Sequence, residues 1–232
     1  MPSIPENLVH VRARIERACR QSGRVPESVT LVAVTKTVSP EKISEALRAG
    51  ALVFGENRIQ EALPKMEILA GTAPAIEWHF IGKLQRNKVR QAVGRFRLIH
   101  SVDTVRLAEE IDRAAGINGQ VQEILLEVNV GGETTKEGFS PEALLDAFDR
   151  INRLKYVKLR GLMTVPPPVR EGGDSRDCFR KLKSLLWNLR ERGGAEHFNC
   201  LSMGMSDDFE AGVEEGATHV RLGRAIFGER GE

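Results

Sequence analysis

Short apolar runs recur along the chain and alternate with stretches of helical periodicity. The runs are TLVAVTK (30–36), ALVFGEN (51–57), EWHFIG (77–82), RLIHSVD (97–103), EILLEVNV (123–130), KLRGLMTV (158–165), HFNCLSMG (197–204) and THVRLG (218–223). Several are apolar on both faces, the pattern of parallel strands covered by helices. Between them the spacing predicts helices with their own start and stop signals. Ser39-Pro40-Glu41 opens one, with Ser as N-cap, Pro at the first helical position and Glu in the electropositive first turn. Ile43, Ala46 and Leu47 supply its apolar face and Gly50 ends it. Ser140-Pro141-Glu142 repeats the device before Leu144, Leu145 and Phe148. Asp103 is the expected cap of VRLAEEIDRAAG, Asp207-Asp208 that of DFEAGVEEG, and a long helix is predicted from about Ser175 to Arg192. Before the first strand, Leu8, Val11, Ile15 and Ala18 mark an amphipathic surface helix.

One N-terminal helix followed by eight βα units fits a single (β/α)8 TIM barrel spanning residues 1–232. A doubly wound open sheet is the alternative. It is disfavoured because no glycine-rich GxGxxG turn follows the first strand. Pro166-Pro167-Pro168 and Gly172-Gly173 read as loop punctuation inside that domain.

The 34 basic and 32 acidic residues leave a net charge of +2, which gives no pull toward nucleic acid or a membrane surface. No stretch approaches membrane-spanning length, and the charged first helix has no apolar core of signal-peptide length. Cys19, Cys178 and Cys200 are odd in number, far apart and in no CxxC pair, so reduced thiols in the cytoplasm are expected. No His, Asp or Glu set has metal-ligand spacing.

In a barrel of this kind the chemistry sits at the C-terminal ends of the strands. Polar residues gather there: Lys36, Glu56-Asn57-Arg58, His79, His100-Ser101, Asn129, Ser202 to Ser206, and Arg221 to Arg224. His79 and His100, inside apolar strands, read as hydrogen-bonded core residues, and Asn57 and Asn129 as strand ends that also tie down loops. Barrels often bind phosphate through the loops after the seventh and eighth strands together with a helix start. SMGMS offers two hydroxyls and a glycine, and RLGRAIFG puts Gly223 at such a start. Lysine is a costly residue to desolvate, so Lys36 at the end of the first apolar run calls for a reason. A lysine in a barrel mouth serves for Schiff-base formation or for charge pairing. Facing a phosphate site, it leaves two ligand classes: a phosphosugar, or pyridoxal 5′-phosphate (PLP), which carries an aldehyde and a phosphate on one molecule.

The motifs LVAVTKTVSPEKI, VFGENRIQEA, WHFIGKLQRNKV, IHSVD, LEVNVGGETTKEGF, RGLMTVPP and LSMGMSDDFEAGVEEGATHVRLGRAIFG occur in order from Leu31 to Gly228. With them the chain resembles the pyridoxal phosphate homeostasis protein family, also called the proline-synthetase co-transcribed family, and is similar to the N-terminal barrel of alanine racemases. The resemblance implies a fold-type III barrel with PLP held as a Schiff base on Lys36. It implies phosphate contacts from Ser202, Gly223 and Arg224, a pyridine-nitrogen partner in Arg221, and Asn57 near the cofactor. Arg224 stands where the family more often has Ser or Thr. The role implied is to hold or deliver PLP, with apo PLP-dependent enzymes as partners, as a cytoplasmic monomer with no catalytic residues of its own. An arginine opposite the ring nitrogen only donates, which disfavours a pyridinium and weakens the ring as an electron sink. The alternative is an amino-acid racemase. Alanine racemases use Lys on one face of the substrate and a Tyr from a second, β-rich domain on the other. This sequence ends just after its eighth unit, and its single tyrosine, Tyr156, precedes the sixth strand, so racemisation is not expected. A phosphosugar aldolase fits the motifs least well.

Overall fold

The computed structural model describes residues 2–71, 76–133, 136–167, 175–193 and 196–228. Gly172-Gly173 and Pro168 lie outside those residues. Eight parallel strands close into a barrel in sequence order: β1 (Thr30–Val34), β2 (Val53–Glu56), β3 (Glu77–Phe80), β4 (Leu98–Val102), β5 (Gln122–Glu127), β6 (Val157–Met163), β7 (Cys200–Ser202) and β8 (His219–Leu222). β8 returns to β1 with Thr30 opposite His219 and Ala33 opposite Leu222. The fold is the (β/α)8 barrel, and the open-sheet alternative falls.

The strands separate two interiors. Ala33, Phe54, Phe80, Ile99, Ile124, Leu126, Leu201, Val220 and Leu222 point outward into the large core shared with the helices. Residues of the opposite parity point into the barrel, where Leu98, Leu125, Met163 and Cys200 form a small apolar cluster of their own. Period-two alternation dictates that split.

The outer layer comprises α1 (Ile4–Gln21), α2 (Pro40–Arg48), α3 (Ile59–Leu69), α4 (Val89–Ala92), α5 (Val105–Ile117), α6 (Pro141–Asn152), α7 (Arg176–Glu191), α8 (Phe209–Glu214) and α9 (Arg224–Phe227). The predicted helix signals are largely met. Ser140 Oγ accepts from the Ala143 amide, and Gly50 follows α2 with a φ of +86°. Two caps differ. Thr104, not Asp103, caps α5, because its hydroxyl reaches the Leu107 amide. Asp208 occupies the N-cap position of α8 but spends its carboxylate elsewhere, accepting from the Met205 amide and from Ser175 Oγ. It thus ties the loop after β7 to the start of α7.

α1 lies against α2, α8 and α9. Arg14 pairs with Glu210 through two hydrogen bonds, at 2.8 and 2.6 Å, and its guanidinium sits over the Phe209 ring. Asn7 Nδ2 donates to the Ile226 carbonyl at 3.0 Å, which fixes α9 and the chain that leads into it.

Gly161, opposite Cys200 in the β6–β7 register, carries the tightest constraint in the sheet. It has a φ of +153°, and a Cβ there would stand 2.0 Å from the Cys200 carbonyl oxygen. Backbone cannot yield as a flexible side chain does. Gly161→Ala should therefore cost about 2–4 kcal/mol of stability. Urea unfolding measures it, and a midpoint equal to that of the wild type contradicts this packing.

Candidate cofactor site

Lys36 lies two residues beyond the end of β1, in a turn closed by the Val38 amide on the Thr35 carbonyl at 2.9 Å. The turn is strained: Thr37 is the one non-glycine residue with positive φ, at 63°, among the described residues. For a β-branched residue that conformation costs about 1–3 kcal/mol and survives only where the surroundings impose it.

A buried ionic cluster behind the strand imposes it. Glu56 ends β2 on its outward face and is fully buried. Lys65, on the inner face of α3, donates to Glu56 Oε1 at 2.8 Å, to Glu61 Oε1 at 2.6 Å and to the Thr35 carbonyl at 2.7 Å. All three of its ammonium protons are thereby placed. Thr35 Oγ1 donates to the same Glu56 oxygen at 2.7 Å, and the Thr37 amide donates to Glu61 Oε1. Residues 35 and 37 are pinned on either side of Lys36. Burial raises the Glu56 pKa against the pull of Lys65 and Thr35. Burial acts on Glu61 too, but Lys65 and the Thr37 amide prevail and hold its pKa below the usual range.

Lys36 lines a cavity of about 280 Å³ with Val34, Lys42, Gly223, Arg224 and Phe227 among its neighbours. The volume falls near the lower end of the range for small-molecule sites, about 300–1,000 Å³. A Cβ on Gly223 would meet nothing closer than Val34, at 3.6 Å, so the protein's own packing does not demand glycine there. The cavity uses the space that a side chain would fill. Loop and helix meet beside it, where the Ala225 amide donates to Ser206 Oγ at 3.4 Å.

Three of the expected site residues, Lys36, Gly223 and Arg224, share this cavity, while the other three are placed differently. Ser202 points into the barrel by strand alternation, so of the two hydroxyls in SMGMS it is Ser206 that reaches the start of α9. Arg221 also points inward. It is buried, donating to Ser202 Oγ at 2.6 Å and to the Thr164 carbonyl at 2.8 Å. Burial lowers its pKa to about 10, which leaves it a cation at neutral pH. Asn57 lines a neighbouring cavity of about 590 Å³ with Arg58, Lys83 and Lys88. Its backbone lies so near Gly82 that a Cβ on that glycine would stand 2.3 Å from the Asn57 carbonyl. The Arg224 guanidinium pairs with Asp207 at the surface. His79 and His100 are hydrogen-bonded inside the barrel, as expected of core histidines. Asn129 exchanges hydrogen bonds with the Glu133 backbone and so ties down its own loop.

Two ionisable residues near the strand ends escape the sequence reading. Lys65 lies on the same helical stripe as Ile59, Ala62 and Leu69, a lysine where an apolar residue belongs, and that spacing is the available signal. Glu127 shares the inward face of β5 with Leu125, so its alternation marks it in the same way. Burial foremost, and then Asp103, raise the Glu127 pKa to about 7, with Arg221 pulling the other way.

The sequence matches the family described as "Alanine racemase, N-terminal domain" over residues 7–231. The barrel thus belongs to that structural class. The pyridoxal phosphate homeostasis protein of Aquifex aeolicus is 48% identical over 225 residues, 97% of each chain. That of Escherichia coli K12 is 36% identical over 231 residues, 99% of this chain and 98% of the relative. The chain belongs to the pyridoxal phosphate homeostasis protein family. The solved structure of PipY from Synechococcus elongatus PCC7942, with PLP bound, matches with a TM-score of 0.83 at 37% identity, covering 93% of this chain and 100% of that one. Alanine racemase of Clostridium difficile 630 in complex with cycloserine shares the fold alone: TM-score 0.70, 15% identity, over 99% of this chain and 60% of that one.

Glu127 generates a pH prediction. Between about pH 4.5 and 7 the folded chain keeps a proton that the unfolded chain has lost, so its contribution to stability falls as pH rises through that window and stays low above it. The full loss is about 2–3 kcal/mol after allowance for partial exposure. Glu127→Gln should therefore gain on the wild type in urea unfolding at pH 8 and not at pH 4. Parallel stability profiles contradict the raised pKa.

Proposed function

We propose that this chain binds PLP at the Lys36 cavity and serves to hold and supply it, without catalytic turnover of its own. One observation carries the reading: an amine-bearing side chain and the helix start at Gly223 and Arg224 line a single cavity. PLP supplies an aldehyde that condenses with primary amines, a phosphate, and a pyridine ring that can accept electrons.

The residues present fit that molecule. Lys36 is the amine placed for covalent attachment, and its backbone is held by the cluster around Lys65. Gly223, Arg224 and the Ser206 hydroxyl, where the loops after β7 and β8 meet, would hold the phosphate. Backbone N–H groups at a helix start suit an anion, and the Gly223 position leaves room for one. Arg221 would face the ring nitrogen as a donor that never accepts. A donor there opposes ring protonation, so the site is poorly suited to stabilising a substrate carbanion. Tyr156, the chain's one tyrosine, sits at the opposite end of the barrel, before β6, with its ring against Gly116. It is not available to a substrate at Lys36.

Binding with little chemistry is the behaviour of a carrier. We infer that apo PLP-dependent enzymes receive the cofactor, and that this occurs in the cytoplasm. No helix among the described residues is long and apolar enough to cross a membrane, and the three cysteines are unpaired.

Adding PLP to the purified apoprotein should produce an absorption band at the edge of the visible range, and Lys36→Ala should abolish it while the protein stays folded. A Lys36→Ala variant that develops the same band with the same affinity contradicts the site.

Transfer separates carrier from enzyme. Mixing the loaded protein with an apo PLP enzyme should restore that enzyme's activity. Incubation with L-alanine or L-serine in deuterium oxide should show no α-proton exchange approaching ordinary turnover, about 1–1,000 per second. Rapid exchange that disappears in Lys36→Ala would make the protein a racemase instead.

A further inference from the structure

A file of polar side chains runs the length of the barrel interior, from its closed end to Arg221. Glu77 Oε1 lies 2.8 Å from His79 Nε2, His79 Nδ1 lies 2.9 Å from His100 Nε2, and His100 Nδ1 lies 2.9 Å from Ser202 Oγ. Arg221 then donates to Ser202 Oγ at 2.6 Å. His79, His100, Ser202 and Arg221 are each 5% exposed or less, whereas the Glu77 side chain is 44% exposed at the bottom of the barrel. His219 packs beside both rings, with centroids 5.8 Å away, but its Nδ1 engages Thr218 and it stands outside the file.

Donor-only chemistry fixes the first link, and one choice of tautomers continues its direction through the rest. Arginine only donates, so the Ser202 oxygen accepts from Arg221. The serine oxygen has a second lone pair, so this link is assigned and not forced: in the proposed file the serine's own proton goes to His100 Nδ1, which is then bare. Burial holds the His100 pKa well below the usual value, so the ring is neutral and its one proton sits on Nε2. That proton goes to His79 Nδ1, bare in turn, and His79 Nε2–H goes to Glu77. The His79 bond, first among the causes, holds the Glu77 pKa below the usual carboxylate range. All the hydrogen bonds point one way, from a cation at the mouth to an anion at the base. Aligned bonds in a low-dielectric interior polarise one another, so the terminal charges are felt along the file.

We propose that Glu77, His79, His100 and Ser202 are positioning residues for the cofactor ring: the file they form anchors Arg221 and fixes it as a directed donor at the barrel mouth. The proposal deepens the PLP reading and rests on it for the identity of what Arg221 faces. Glu127 and Asp208 are the carboxylates whose charges favour the Arg221 cation directly; the file adds a hydrogen-bonded anchor reached through the barrel core, and the group that meets the ring stays a pure donor. Of the four residues only Ser202 touches Arg221; the others act through it.

Long-range ¹⁵N–¹H correlation spectra of the apoprotein read the tautomers directly. His79 and His100 should both be neutral with the proton on Nε2. An Nδ1–H tautomer or an imidazolium at either residue in the wild type overturns the file. Glu77→Ala, at the solvent-exposed end, should fold normally yet lose the single-tautomer pattern. It should also raise the PLP dissociation constant about threefold to tenfold, the scale of one hydrogen bond's net contribution. Ser202→Ala should weaken PLP by a similar factor while the His79 proton on Nε2 persists. PLP affinity unchanged in both variants overturns the positioning role. Should the wild-type apoprotein show the predicted tautomers and yet bind no PLP, the cofactor reading fails and the file itself stands.

Discussion

Closure of the barrel by pairing β8 to β1 is the constraint on which the site depends. Lys36 follows the first strand and Gly223 follows the last, 187 positions apart in sequence (223 − 36). In an open sheet of this strand order they would stand at opposite edges. Closure sets Ala33 opposite Leu222, so the two chains leave the sheet side by side and their ends line one cavity. Asn7 then ties α1 to α9 across the same seam.

The seam needs a rigid lysine, and the buried cluster around Lys65 supplies it. A buried ion pair is weak evidence for stability, since desolvation offsets the Coulombic gain. Its value here is geometric: one ammonium joins β2, α3 and the Thr35 carbonyl, while Glu61 holds the Thr37 amide and with it a left-handed turn. Glu56 Oε2 has no protein hydrogen-bond partner among the described residues, in keeping with the raised pKa of that carboxyl. The barrel interior follows a second logic, with its polar groups ordered into a file that ends on Arg221. Lysine and arginine are therefore presented by separate networks, one outside the strands and one within them.

The fold is legible in the sequence because parallel strands buried on both faces leave unmistakable apolar runs, and Ser-Pro-Glu marks helix starts. Lys36, Gly223 and Arg224 are legible because barrel chemistry gathers at strand ends. Side-chain direction is harder to read. The resemblance implies a phosphate contact from Ser202, whereas β7 ends on that residue and alternation turns its hydroxyl inward onto Arg221; parity counted from Cys200 carries that information. Asn57 packs its backbone against Gly82 and buries its side-chain oxygen without a protein hydrogen-bond partner among the described residues, a placement that depends on tertiary contact. The histidine file joins β3, β4, β7 and β8, and no local pattern encodes such a meeting.

Lys42 lines the same cavity as Lys36, so the identity of the modified lysine is the sharpest question put to this account. Peptide mapping after borohydride reduction of the PLP-loaded protein answers it by mass. The account predicts that the reduced cofactor is found on Lys36. A main adduct on Lys42, or on any other lysine, would contradict it.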